Sequence, residues 1–119
     1  MSELARISAR KAAVAMHVQV VTYRLDEISD PEFNEANREF ADAMAAVPGL
    51  LAKVWLKDLD GGTYGGVYLW EDRQACQDFL ESELWGEVEK DESVMDLASR
   101  DFAVNEEMTK ITQPGLQVL

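Results

Sequence analysis

Few side chains in this sequence can move a proton or hold a developing negative charge, and most of them fall in stretches that read as β-strands. His17 is the single histidine, and imidazole is the side chain suited to act as a base near neutral pH. Gln19 stands two residues on, on the same face of an extended chain, where it could orient His17 or a ligand. Trp55 and Tyr68 are flat side chains on strands that could sandwich a planar molecule, and a tyrosine hydroxyl can donate to an oxyanion. Trp70 and Phe79 flank a strand-to-helix junction, from which they could close such a pocket. This set supplies a base, an oxyanion donor and aromatic walls, the parts needed to take a proton from a planar molecule in a dry pocket. His17 and Tyr68 are then the catalytic candidates, with Gln19, Trp55, Trp70 and Phe79 binding the substrate. Each also has a bland reading, the histidine as a packed strand residue and the aromatics as core or interface.

Other chemistries find less support. One histidine and one cysteine do not make a zinc or iron site, and no Gly-x-Ser-x-Gly or Cys-His spacing points to a covalent hydrolase. Haem could use His17 as a single axial ligand, without any specific motif for it. The stretch "DGGTYGGVYLW" at 60–70 has four glycines but leads into a strand and lacks a lysine, so it is no phosphate loop. No flavin or nicotinamide fingerprint is present, and neither metal nor cofactor is expected. Lys53 and Arg100 are strand cations, read as snorkelling or paired with a carboxylate such as Asp101 or Glu106.

The elements that must position these groups follow from periodicity. Residues 16–23 alternate as a first strand. Asp30 and Pro31 read as an N-cap and first turn, and Phe33, Ala36, Asn37, Phe40, Ala43, Met44 and Val47 recur at helical spacing until Pro48 and Gly49. "LLAKVWLKD" alternates again and ends at an Asp-Gly hairpin signal, after which "TYGGVYLW" is a strand apolar or aromatic on both sides. Gly61 and Gly62 serve that turn, while Gly65 and Gly66 either open a pocket floor beside Tyr68 or make a bulge. Asp72 can cap a second helix with Ala75, Cys76, Phe79, Leu80 and Leu84 on its apolar face, continued by a short third helix from Trp85. "VMDLASRDFAVN" reads as the last strand.

The order β-α-β-β-α-β gives an α+β, ferredoxin-like split βαβ fold: a four-stranded antiparallel sheet with both helices on one face. The second sheet face then needs cover, and the same face of another copy supplies it, giving a homodimer. The domain is expected at 16–106, between an extension at 1–15, with Met16 an alternative start, and another at 107–119. With 23 acidic against 11 basic residues and a net charge of −12, the chain repels nucleic acid and anionic membranes, leaving a small molecule as its expected partner. The acidic run at 71–96 reads as a solvated helical face with no calcium-loop spacing. A lone cysteine and no membrane-spanning run make cytoplasmic the expected location.

"PGLLAKVWLKD", "GGVYLWED" and "RDFAVNE" together resemble the YdhR-type monooxygenases, of the dimeric α+β barrel superfamily that includes the antibiotic-biosynthesis monooxygenases. The resemblance runs from the first strand to Glu106. It implies a ferredoxin-like protomer paired sheet to sheet, with a pocket between helices and sheet. The expected function is a monooxygenase using molecular oxygen on a planar aromatic or polyketide-like substrate. An isomerase or cyclase on a similar substrate, or a non-catalytic binder, are the alternatives.

Overall fold

The computed structural model describes residues 16–113. Its elements are β1 (His17–Arg24), α1 (Asp30–Ala45), β2 (Leu50–Lys57), β3 (Thr63–Trp70), α2 (Arg73–Leu80), α3 (Glu83–Lys90), β4 (Met95–Ala103) and α4 (Glu106–Thr112). The strands form one antiparallel sheet in the order β2-β3-β1-β4, which is the ferredoxin-like split βαβ arrangement. α4 falls where a C-terminal extension is expected, and the expected extension at 1–15 lies outside the described residues.

Strand alternation decides which face meets the helices. His17, Gln19 and Val21 on β1 are buried, as are Tyr68 and Trp70 on β3. α2 and α3 cover them with Ala75, Cys76, Phe79 and Trp85, and α1 adds Met44 and Phe40. The other sheet face carries a row Val54–Val67–Val20–Arg100 and a row Ala52–Leu69–Val18–Phe102. Val54 is 59% and Phe102 44% exposed on it. Among the described residues no helix is long and apolar enough to cross a membrane.

Local chemistry sets the boundaries. α1 is capped by Ser29, one residue before the Asp30 expected from the sequence. The Ser29 hydroxyl accepts from the Glu32 N–H at 3.3 Å and the Glu32 carboxylate accepts from the Ser29 N–H at 3.1 Å. This capping box satisfies two helix-end donors, and those hydrogen bonds hold the Glu32 carboxyl below its usual range. Asp30 pairs instead with Lys57. Asp72 caps α2 as expected, accepting from the Ala75 N–H at 2.8 Å. α3 is a separate helix with its own cap, Ser82. The β2–β3 hairpin is longer than a two-residue Asp-Gly turn, closing with the Asp58 N–H donated to the Thr63 carbonyl at 2.8 Å.

Gly65 and Gly66 pair in unbroken register with both neighbouring strands, and the register shifts lie elsewhere, at Leu50/Ala52 and Thr22/Arg24. They are therefore not a bulge. A Cβ on Gly65 would stand 1.9 Å from the Val21 carbonyl oxygen, so this glycine permits close backbone approach. A Cβ on Gly66 would stand 2.8 Å from Cε of Lys53.

Candidate active site

The β2–β3–β1–β4 register sorts the helix-facing side chains into rows. Lys53 lies opposite Tyr68, Tyr68 opposite Gln19, and Gln19 opposite Asp101. Trp55 lies opposite Gly66, and Gly66 opposite Val21. His17 belongs to the row of Trp70 and Ala103, at the far end of β1 from Tyr23.

A cavity of about 160 Å³ opens over the first two rows. Val21, Tyr23, Lys53, Trp55 and Tyr68 rise from the sheet, Asn37 and Phe40 come from α1, and Trp85, Glu87 and Val88 from α3, with Asp91 and Val94 just beyond it. The volume is close to the roughly 150 Å³ of a cavity that admits one benzene ring. It thus has room for a single aromatic ring.

Because Gly66 lacks a side chain, Lys53 folds its stem across the gap. Its ammonium nitrogen lies 3.5 Å from the Trp55 ring centroid, 4.6 Å from that of Tyr68 and 5.0 Å from that of Phe40. Burial lowers its pKa to about 7, while the ring faces favour its charged form. Of the two sequence expectations for Lys53, a snorkelling side chain or a carboxylate pair, the pair is not formed: among the described residues it makes no ion pair and no hydrogen bond. Asp101 is taken by His17 at 2.6 Å and Glu106 by the Met16 N–H at 2.9 Å. Arg100 lies over the Phe102 ring, 5.1 Å from its centroid.

Burial also pushes the Tyr68 hydroxyl strongly up and Tyr23 up to about 12, the latter helped by the nearby Asp91 charge. Both phenols stay protonated and able to donate. Among the described residues neither hydroxyl has a hydrogen-bonding partner.

Of the residues singled out in the sequence, Trp55 and Tyr68 meet in this cavity. Trp70 and Phe79 form the layer behind it. Trp70 stacks on Tyr68 with centroids 6.1 Å apart and planes 6° off parallel, and Phe79 lies 5.6 Å from both Tyr68 and Trp85. Gln19 is wholly buried and spent on structure: its Oε1 accepts from the Trp70 indole N–H at 3.0 Å, and its Nε2 donates to Ser99 Oγ at 3.0 Å. His17 is 6% exposed and does not line the cavity, so its ring is not presented to a molecule bound there.

His17, Asp101 and Cys76 do come together, with one ligand-type atom from each within 4.8 Å of the others. Three separate elements supply them, so no sequence spacing could announce the group. A metal ion would have to open the His17–Asp101 hydrogen bond, because ligand atoms around a tetrahedral zinc stand roughly 3.3 Å apart. Cys76 donates weakly to Gln19 Oε1 at 3.8 Å. Burial, with the Asp101 charge, pushes its thiol up to about 11.

Sequence reasoning missed Tyr23, Asn37, Phe40 and the role of Lys53. Alternation placed Tyr23 on the His17 face, and helical spacing placed Asn37 and Phe40 on the inner face of α1. Only the register shows that these meet Lys53.

Comparison with known proteins agrees with the architecture. The structure resembles SnoaB, a cofactor-independent oxygenase from Streptomyces nogalater, at 16% identity over 76% of this chain and 94% of that one, with a TM-score of 0.61. It resembles the hydroxynitrile lyase of Passiflora edulis at 15% identity over 78% and 96%, with a TM-score of 0.60. The heme-degrader MhuD of Mycobacterium tuberculosis matches at 19% identity over 75% and 95%, with a TM-score of 0.58. At these identities the likeness shows the fold alone, and no curated protein matches the chain in sequence. A family model described as "Putative mono-oxygenase ydhR" matches residues 15–114. Carrying both this family's sequence pattern and a ferredoxin-like sheet with a cavity under its helices, the chain belongs to the ydhR mono-oxygenase family.

Proposed function

We propose that this protein is a monooxygenase that acts on a small planar aromatic or polyketide-like substrate with molecular oxygen, without metal or flavin. The observation that carries the reading is the cavity itself, walled by Phe40, Trp55, Tyr68 and Trp85 and furnished with polar groups that no described residue satisfies. Aromatic walls grip a planar ring, and a buried hydroxyl without a partner is costly unless a ligand supplies one. Trp55 and Tyr68 hold the ring, with the Tyr68 hydroxyl donating to the oxygen that becomes negative as the substrate loses a proton.

The chemistry balances without a cofactor. A substrate CH2 flanked by conjugation loses a proton, and the carbanion passes one electron to O2. The radical pair joins to a peroxide, which takes up the proton and then loses water to leave C=O. One oxygen atom enters the product, the other leaves in water, and the substrate carbon supplies four electrons. His17, the base expected from the sequence, serves in this reading as a positioning residue, fixing Asp101 and β4 beneath the Trp70 layer. The protein works as a homodimer whose protomers meet through the Val54 and Phe102 face, bringing a cytoplasmic small molecule to each cavity.

Oxygen uptake by chelator-treated protein with hydroquinones, naphthols and anthrones tests this. We expect uptake with one product oxygen derived from O2, slowed at least about tenfold by Trp55→Ala. Conversion without oxygen uptake would make the protein an isomerase or cyclase, and binding without conversion would make it a ligand carrier; either sinks the oxygenase reading.

A further inference from the structure

Among the described residues Lys53 is the one cation lining the cavity, and the structure accounts for its position but not for its hydrogen-bonding capacity. Its stem crosses the gap left by Gly66, its nitrogen faces three rings, and no described oxygen accepts from it. Charged and ionisable groups that are half-buried normally have a partner. Among the described residues the other titratable groups around the cavity are Tyr23 on β1, Tyr68 on β3, Glu87 on α3 and Asp91 after it, and α1 contributes Asn37 and Phe40. Glu87 and Asp91 are exposed, whereas Lys53 is half-buried. The cavity thus has a basic interior and an acidic rim.

We infer that Lys53 is the cavity's proton acceptor, and that the substrate is a weakly acidic, neutral aromatic, a phenol or an enolisable ketone, bound with its acidic group toward Lys53 and no anionic group toward the rim. This inference rests on the reading of the cavity as a site for planar aromatics. In the step itself the Lys53 nitrogen lone pair takes the proton. A new N–H bond forms, the substrate O–H or C–H bond breaks, and its electron pair stays on the substrate as phenolate or enolate. The ammonium and the anion then neutralise one another in contact, away from water, which favours the charged pair over either charge alone. A buried amine of lowered pKa, as burial makes Lys53, is matched to this task near neutral pH. The acidic rim repels a carboxylate-bearing ligand, so selectivity for neutral acids is built into the same geometry.

The probe is 4-nitrophenol, whose phenolate absorbs apart from its phenol, with 4-nitroanisole as the form that has no proton to give. In wild type the bound phenol should ionise at a pH about one unit or more below that of the free dye, a tenfold change in its ionisation constant. Lys53→Met, which keeps the stem and removes the amine, and Gly66→Ala, which displaces it, should abolish that shift although 4-nitroanisole still binds all three proteins. A bound phenol that ionises at the same pH in wild type and Lys53→Met overturns the inference and leaves the aromatic site standing. Failure of both dyes to bind overturns the aromatic site and the inference with it. A ligand-free check is the pH titration of ε-13C-lysine resonances in wild-type protein. The Lys53 signal, identified through Gly66→Ala should Lys53→Met not fold, is expected to titrate near neutrality; one that titrates with the other lysines overturns the inference.

Discussion

Lys53 on β2 occupies the space that a side chain on Gly66 of β3 would take, its Cε only 2.8 Å from where a Cβ would stand. The next obstacles to that Cβ are Cε1 of Tyr68 at 3.3 Å and the Val54 carbonyl oxygen at 3.4 Å. The tightest contact is with the far end of a flexible chain. Gly66→Ala should therefore move the lysine rather than the strand, lowering stability by no more than about 1 kcal/mol while cutting turnover about tenfold or more. Chemical denaturation alongside steady-state assay separates the two effects. A loss of several kcal/mol would show that the glycine spares the backbone instead.

The lysine also marks stability with a pH signature. Its folded pKa, lowered to about 7, lies below the ordinary 10.5, so between these values the unfolded chain binds more protons and stability rises with pH. The gain is complete above the unfolded value and is lost as pH falls through about 7. Cys76 and the cavity tyrosines Tyr23 and Tyr68 are shifted upward from 9.0 and 10.0 and act oppositely, but only above about pH 9. Urea denaturation from pH 7 to 9 should show wild-type stability climbing relative to Lys53→Met; parallel curves would remove the lowered pKa.

Tyr68→Phe keeps the ring that stacks on Trp70 and removes only the hydroxyl. Loss of an oxyanion donor costs roughly 10²-fold in kcat, and here the fold should be unharmed because no described residue bonds that hydroxyl. Single-turnover rates at saturating substrate read it directly. A kcat within about threefold of wild type would place the charge elsewhere.

For His17 the expectation is reversed. His17→Gln breaks a short, partly buried hydrogen bond to Asp101 and should lower stability by about 1–3 kcal/mol, leaving turnover of the folded fraction within about threefold. Thermal melts and kcat measured on the same sample make the contrast. A collapse of kcat with an unchanged melt would return His17 to the chemistry.

The uncovered sheet face makes its own prediction. Val54→Glu and Phe102→Glu each place a charge among the apolar side chains of this face, and a buried unpaired carboxylate costs several kcal/mol at an interface. Sedimentation should show a dimer for wild type and monomers for the variants. A wild-type monomer would end the dimer proposal.

The sequence made the elements legible because their signals are local: period-two alternation in β1 to β3, the Asp72 cap, the helical spacing of α1. It made Trp55 and Tyr68 legible as neighbours in kind, two aromatics on strands that face helices. The β4 partners of Gln19 and His17, Ser99 and Asp101, were illegible, since both lie 80 or more residues away and only register joins them. Lys53 was misread for a related reason. A strand cation invites a search for a carboxylate, and nothing in the local sequence tells that Gly66, not an acid, lies beneath its stem. Ser29 displaced Asp30 as the cap because it alone leaves Glu32 at the third helical position for the reciprocal bond.

Cys76 is fully buried between α2 and the sheet, its thiol held back from ionising. Since a thiol reacts as thiolate and only where reagent can reach it, the native protein should be blind to alkylating agents. Modification then occurs only in moments when α2 lifts away. The single sulfhydryl thereby becomes a gauge built into the fold: under conditions where reclosure outruns labelling, its rate of capture reports what fraction of the time the roof over Tyr68 and Trp70 stands open.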